Sequence, residues 1–166
     1  GVIHAGLYYP KGSLKTELCI LGNSMLYEWA KNHGVTHRRC GKLIIAQTQE
    51  EEQLLTERYE HANSVGVLGL KRLTQAQVTK SADLTNVKQA LFSETTGIVD
   101  PVELTRSLIA KSPNLELIAS AEVQSIEAKT DSFLVETSRG PVDAKIVVNS
   151  AGLYADKIAR MLGITK

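Results

Sequence analysis

Apolar positions recur along this chain at two periods, and each period predicts an element. Leu14, Leu18, Leu21, Met25 and Trp29 follow one another at steps of four, three, four and four, which is one face of an α-helix. Ser13 stands at the N-cap position and Gly34 at the stop, so a helix is predicted from about Leu14 to His33 with that stripe as core. Lys42 to Gln47 is a short apolar strand. Thr48 and Glu51 have capping-box spacing and open a second helix, with Leu55, Tyr59 and Ala62 on its buried face and Gly66 at its end. A strand is expected within Val67–Leu73, a short helix after the pair Thr74 and Gln77, and another strand over Lys88–Ser93. Asp100, Pro101 and Glu103 mark a helix start that runs to about Lys111 and stops before Pro113.

The pattern changes in the last third. Leu115 to Ala119 is a compact apolar stretch expected to be a strand. Glu122–Lys129, Ser132–Thr137 and Pro141–Lys145 predict a β-meander, with Phe133, Val135 and Thr137 alternating with their neighbours. Ile146, Val147 and Val148 are apolar without alternation, the signature of a strand buried on both faces of a parallel sheet. That run leads through Asn149-Ser150-Ala151-Gly152 into a helix expected over Tyr154–Leu162 and ended by Gly163. The order predicts an α/β chain with mixed α+β character.

Charge and composition narrow the function classes. The 166 residues hold 19 Lys+Arg and 18 Asp+Glu, a net charge of +1, which supplies no cationic surplus to displace counterions from nucleic acid. No apolar run approaches the ~20 residues of a membrane-spanning helix. Cys19 and Cys40 are too few for a disulfide framework and no Cys or His has zinc-ligand spacing, so no metal site is expected. Glu50, Glu51 and Glu52 fall where a helix N-terminus favours acids. The chain opens at Gly1 without methionine, directly in apolar sequence, and is expected to be a piece of a longer protein.

Four places carry candidate chemistry. At Val147-Val148-Asn149-Ser150-Ala151-Gly152 a strand ends in small residues before a helix. Such a corner admits a ligand close to the backbone, or simply makes a tight turn. In Gly1–Pro10 a single histidine, His4, lies between small and apolar residues and is followed by Tyr8 and Tyr9. It fits either a proton acceptor beside a flat ring or a satisfied core histidine. Thr95–Asp100 is a polar turn whose Asp100 is explained as a cap. His37, Arg38, Arg39 and Lys42 surround Cys40 and Gly41, a cluster that suits an anionic substrate or a solvated loop. No GxGxxG, Walker A or GxSxG pattern is present.

Taken together these blocks resemble the L-2-hydroxyglutarate dehydrogenases and oxidases, members of the D-amino-acid-oxidase-like group of FAD enzymes. The resemblance is carried by Gly1–Tyr9 with Gly12-Ser13-Leu14-Lys15, by Arg39–Ile44, by Thr96–Asp100, by Ala121-Glu122-Val123 and by Val148–Asp156, in family order along the whole chain. It implies a central part of such an enzyme. The fold would be a partial FAD-binding doubly wound sheet plus part of a substrate domain with a mixed or antiparallel sheet. Residues 1–13 would be the flavin-contacting segment, 14–40 the helix on the FAD-domain side, 41–100 the partial substrate domain, and 101–166 the partial FAD-binding domain with its meander. The family's dinucleotide fingerprint lies upstream of the His4 segment, so this chain alone is expected to be inactive.

The resemblance also implies the chemistry. FAD would accept a hydride from the hydroxyl-bearing carbon of a 2-hydroxy acid while a base takes the hydroxyl proton, converting L-2-hydroxyglutarate to 2-oxoglutarate. His4 would be the base or a flavin-facing polar group. Val2, Ile3, Ala5 and Gly6 would lie near the isoalloxazine ring, Val123 near the adenine, and Ser150, Ala151 and Gly152 near the pyrophosphate. Tyr8, Lys42 and Thr96 are candidates for the substrate carboxylates on chemical grounds. The electron acceptor is open between oxygen, a quinone and a flavoprotein, and family members are mitochondrial or occur in the bacterial cytoplasm at the membrane. Two other readings remain. One is a related FAD enzyme acting on glycine, sarcosine or glycerol 3-phosphate, and the other is a non-catalytic binding module derived from such an enzyme.

Overall fold

The computed structural model describes residues 1–81, 84 and 86–165. They form two compact units, Gly1–Pro113 and Asn114–Lys166. Helices and strands are mixed throughout, and every strand pair among the described residues is antiparallel.

The first unit begins with β1 (Val2–Ile3), then α1 (Leu14–Asn32), β2 (His37–Arg38) and β3 (Lys42–Ala46). It continues with α2 (Gln49–Ser64), β4 (Leu70–Thr74), α3 (Gln75–Ser81), β5 (Gln89–Ser93), β6 (Gly97–Val99) and α4 (Pro101–Ala110). Local signals place the helices. The Ser13 hydroxyl accepts from the Thr16 N–H. The Thr48 hydroxyl accepts from the Glu51 N–H at 3.3 Å, and Glu51 Oε2 accepts in return from the Thr48 N–H at 3.2 Å. Asp100 Oδ1 accepts from the N–H groups of Val102 and Glu103 at 2.8 and 2.9 Å. Each bond satisfies a donor that the first helical turn leaves free.

The larger sheet has the order β3-β5-β4. Ala46, Leu55 and Leu91 pack on the α2 side, with Ile44, Tyr59 and Leu70 against them. Val78, Val87 and Ala90 form a separate cluster with Leu43 and Ile45. The alternation along β3 thus sends Ile44 and Ala46 towards one helix and Leu43 and Ile45 towards the other.

A second sheet, order β1-β6-β2, is not foreseen by the sequence pattern. Thr95–Asp100 is not just a polar turn, and His37–Arg38 is not just a loop. Gly97–Val99 pairs Val2–Ile3 on one side and His37–Arg38 on the other. Strands of two or three residues leave no periodic signature, and their pairing joins residues nearly the length of the unit apart. Gly97 makes the fit possible: a Cβ there would lie 2.5 Å from the Arg38 carbonyl oxygen and would collide with the Tyr27 hydroxyl.

The buried face of α1 corrects the expected one. Leu14 is 72% and Met25 58% exposed, and Leu18 and Leu21 are also exposed. Thr16, Asn23 and Ala30 are buried instead, and Ile20, Leu26 and Tyr27 pack against buried clusters. The inward side includes polar residues because the segment it meets is irregular backbone whose carbonyls need donors.

The second unit comprises β7 (Val123–Ala128), β8 (Phe133–Thr137) and β9 (Gly140–Ala144), ordered β7-β8-β9 as the meander predicts. A 3₁₀ turn over Gly152–Tyr154 leads into α5 (Ala155–Arg160). The helix is shorter than expected because Leu162 and Gly163 bond back three residues, to Ala159 and Arg160, and tighten the last turn. Leu115–Ala119 and Ile146–Val148 pair with no strand among the described residues. Ile146 is 79% and Val148 80% exposed. A doubly buried parallel strand needs a neighbour on each edge and a layer on each face, and these segments have neither here. No helix of the described residues is long and apolar enough to cross a membrane.

Candidate functional site

Side-chain exposure alternates through the opening segment. Val2 and His4 are exposed, while Ile3 and Ala5 are buried. Ile3 joins Ala30, Val35 and Val99 in one cluster, and Ala5 joins Leu7, Ala62 and Val67 in another. Val2 and His4 therefore lie on the open face of a segment anchored from beneath. His4 is not the core histidine that the pattern allowed. Its imidazole lies 6.3 Å, centroid to centroid, from the Tyr9 ring, and it makes no hydrogen bond among the described residues.

Three polar side chains hold this segment by its carbonyls. Asn23 Nδ2 donates to the His4 carbonyl at 2.9 Å and also to Thr95 O at 2.9 Å. Thr16 Oγ1 donates to Pro10 O at 2.7 Å. His61 Nε2 lies 2.8 Å from Tyr9 O, which only a protonated Nε2 can serve. None of the three stands out by sequence motif. The available signal was Thr16, Ile20, Asn23 and Tyr27, an i, i+4, i+7, i+11 series carrying three polar residues.

Gly6 has a structural role of its own. Its φ is +86°, and a Cβ there would sit 2.8 Å from Ile20 Cγ1. The backbone turns against α1 so closely that no side chain fits.

Tyr27 closes the floor of the same region. Its hydroxyl donates to Thr95 O at 3.1 Å, and the Arg39 guanidinium lies 5.2 Å from its ring centroid. Burial raises the phenol above its ordinary range, nearby Arg39 opposes that shift, and Cys40 adds to it. A cavity of about 450 Å³ opens here, lined by Ala5, Asn23, Tyr27, Arg39, Leu68 and Thr95. A wider one of about 720 Å³ borders Val2, His37, Arg38 and Ile98 on the short sheet.

The substrate candidates are distributed unevenly. Tyr8 and Lys42 come together, with Lys42 Nζ 4.5 Å from the Tyr8 ring centroid. Thr96 is buried, and its hydroxyl shares a hydrogen bond with Ser93 Oγ at 2.8 Å. That commits Thr96 to the corner between β5 and β6. Cys40 is a free, exposed thiol.

In the second unit Val123 is half-buried at the start of β7, next to a bulge at Val123–Ser125. Ser150, Ala151 and Gly152 are exposed. Asn149 organises the corner: its Oδ1 accepts from the Ala151 N–H at 3.2 Å, and its Nδ2 donates to Ala155 O at 2.8 Å.

The residues present fit a flavin cofactor in kind. The edge strand β1 with exposed Val2, followed by exposed His4, offers an apolar and a polar side chain to a flat, amphipathic ring. The Ser150–Gly152 corner offers accessible main chain of the type that approaches phosphates closely.

Comparison with known proteins agrees. The profile of the family described as FAD dependent oxidoreductase matches residues 1–166. The mitochondrial L-2-hydroxyglutarate dehydrogenase of Homo sapiens is 33% identical over 99% of this chain and 39% of its own length. The glycerol 3-phosphate dehydrogenase of Caloramator mitchellensis is 36% identical over 99% of this chain and 35% of its own. Among solved structures, L-proline dehydrogenase from P. horikoshii shares the fold with a TM-score of 0.85 and 22% identity, over 97% of this chain and 44% of that one. The chain thus spans about two fifths of the length of the curated relatives it matches.

Proposed function

Because the chain belongs to the family of FAD-dependent oxidoreductases, we propose that the enzyme containing it oxidises the hydroxyl-bearing carbon of a 2-hydroxy acid, L-2-hydroxyglutarate to 2-oxoglutarate. The observation that carries the reading is the exposed His4 just after the edge strand β1, with the Tyr8–Lys42 pair further along the same opening segment. Identity of 33% to the human L-2-hydroxyglutarate dehydrogenase supports the substrate.

Val2, Ile3, Ala5, Gly6, Val123, Ser150, Ala151 and Gly152 are the residues that would hold FAD. The buried Ile3, Ala5 and Gly6 would serve through their backbone. When bound, FAD supplies a hydride acceptor. His4 takes the proton from the substrate hydroxyl as the carbon is oxidised, a task suited to an imidazole near neutral pH. Asn23 fixes the main chain of His4, so the ring is aimed by a side chain that does not itself react. Lys42 and Tyr8 hold a carboxylate. Thr96 acts by positioning the β5–β6 corner.

A second substrate has a specific observation in its favour. The glycerol 3-phosphate dehydrogenase match is 36% identical, and that substrate also carries a hydroxyl-bearing carbon and a remote anion. The same proton acceptor would serve both. The human relative's name places that protein in mitochondria, and a mitochondrial or a bacterial cytoplasmic, membrane-associated setting fits the reading.

The test is turnover by the whole enzyme with a dye acceptor, using L-2-hydroxyglutarate, its D-enantiomer, glycerol 3-phosphate, glycine and sarcosine. A flavin absorbance band with preferential oxidation of L-2-hydroxyglutarate is expected. Preference for glycerol 3-phosphate would select the second reading. Preference for an amine would overturn both, and a flavin-free inactive protein would leave a binding module.

A further inference from the structure

We infer that Arg58 is a specificity-determining residue: together with Lys42 it forms a dicationic clamp around the Tyr8 ring that takes the substrate's second anionic group, the one remote from the carbon oxidised. The inference rests on the reading just given and deepens it from one carboxylate-binding lysine to a subsite of two cations for one remote anionic group.

The three side chains come from three elements. Tyr8 is on the opening segment, Lys42 begins β3, and Arg58 lies in the middle of α2. Lys42 Nζ is 4.5 Å and Arg58 Cζ 5.0 Å from the Tyr8 ring centroid. Arg58 is half-buried and lines a cavity of about 200 Å³ with Tyr8, Ile44, Leu54 and Leu55. The ion pairs among the described residues are Lys71–Glu94, Lys129–Asp143 and Asp156–Arg160, so neither Lys42 nor Arg58 has an acidic partner. Glu51 lines the same cavity. Its Oε2 is taken by the N–H groups of Gln47 at 2.6 Å and Thr48 at 3.2 Å, so it caps the helix and does not pair with Arg58.

Two cations held near one small ring repel each other. The negative face of the ring offsets part of that cost. An incoming anion with several oxygens offsets the rest, since Lys supplies a point charge and Arg a planar fork matching two oxygens. Ile44, Leu54 and Leu55 give the cavity beside Arg58 an apolar wall. Reach is consistent with one small substrate, because four peptide steps separate His4 from Tyr8 and bound their Cα distance at ~14 Å. The chemistry recognised is a carboxylate or a phosphate several bonds from the reacting hydroxyl.

The test compares wild type, R58Q and R58K of the whole FAD-loaded enzyme, each checked for native circular dichroism. kcat/KM is measured for L-2-hydroxyglutarate, glycerol 3-phosphate and 2-hydroxybutyrate, which lacks the second anion. Calorimetry measures binding of glutarate and of inorganic phosphate. R58Q is expected to lower the preference for the dianionic substrate over 2-hydroxybutyrate by about tenfold or more, mainly through KM. R58K is expected to restore part of it. Weakened glutarate binding identifies a carboxylate subsite, and weakened phosphate binding a phosphate subsite. If R58Q leaves the preference and the binding of both probes as in wild type, the clamp is wrong. If wild type oxidises none of the three substrates while probe binding still depends on Arg58, the anion site stands and the proposed reaction fails.

Discussion

Asn23 donates to the main-chain carbonyl of His4 at 2.9 Å, and the same amide nitrogen reaches Thr95 O at 2.9 Å. One side chain on α1 therefore ties the proposed proton acceptor to the corner between β5 and β6. Asn23 is buried, so its loss leaves the His4 carbonyl without this donor, while Thr95 O keeps the Tyr27 hydroxyl. Asn23→Ala is expected to destabilise the protein by about 1–3 kcal/mol, read from the denaturant midpoint. Asn23→Asp, nearly the same shape but without the donor, should lose a similar amount. Full stability in either variant would deny the tie.

His4 itself predicts the opposite pattern. Its side chain is exposed and unbonded among the described residues, so His4→Asn should change stability by less than ~0.5 kcal/mol. In the whole enzyme it should lower kcat by roughly 10²–10⁴-fold. Unaltered turnover would transfer the proton to another group.

Tyr27 gives a stability signature at high pH. Its phenol, 10.0 when unperturbed, is raised in the folded protein chiefly by burial, against the opposing effect of Arg39. The folded state therefore holds the proton more tightly than the unfolded chain. This contribution is fully present below pH 10.0 and is lost as pH rises through the folded value. Denaturation midpoints measured up to that range should fall, and Tyr27→Phe should flatten the fall while lowering the plateau through loss of the Thr95 hydrogen bond. An equal slope in wild type and variant would assign the effect elsewhere.

Gly6 tests the packing of the opening segment on α1. With φ at +86° and a Cβ position 2.8 Å from Ile20 Cγ1, Gly6→Ala is expected to cost about 1–3 kcal/mol. Combined with Ile20→Ala, the clash disappears but the backbone strain stays. The double variant should be less destabilised than the sum of the two singles. Simple additivity would show that the contact is not made.

Much of the local structure was legible without coordinates. The caps at Ser13, Thr48 and Asp100 and the three-stranded meander depend on hydrogen bonds within a few residues or on strict alternation. Neighbouring positions in the chain carry that information. The family resemblance was legible too, because its blocks are contiguous in sequence.

Tertiary structure alone decided which side of α1 is buried. The apolar positions Leu14, Leu18, Leu21 and Met25 have the better periodicity, yet they face outward in the described residues. Thr16, Asn23 and Tyr27 turn inward because the irregular Gly1–Pro10 segment and the Thr95 corner present carbonyls that need donors, and a periodicity count does not register that demand. The sheet β1-β6-β2 was equally invisible, since its two- and three-residue strands have no alternation to detect. The meeting of Tyr8, Lys42 and Arg58 belongs to the same class. Tyr8 and Lys42 were separate candidates in the sequence and Arg58 was none, and only chain reversal across β3 and α2 set two unpaired cations against one ring.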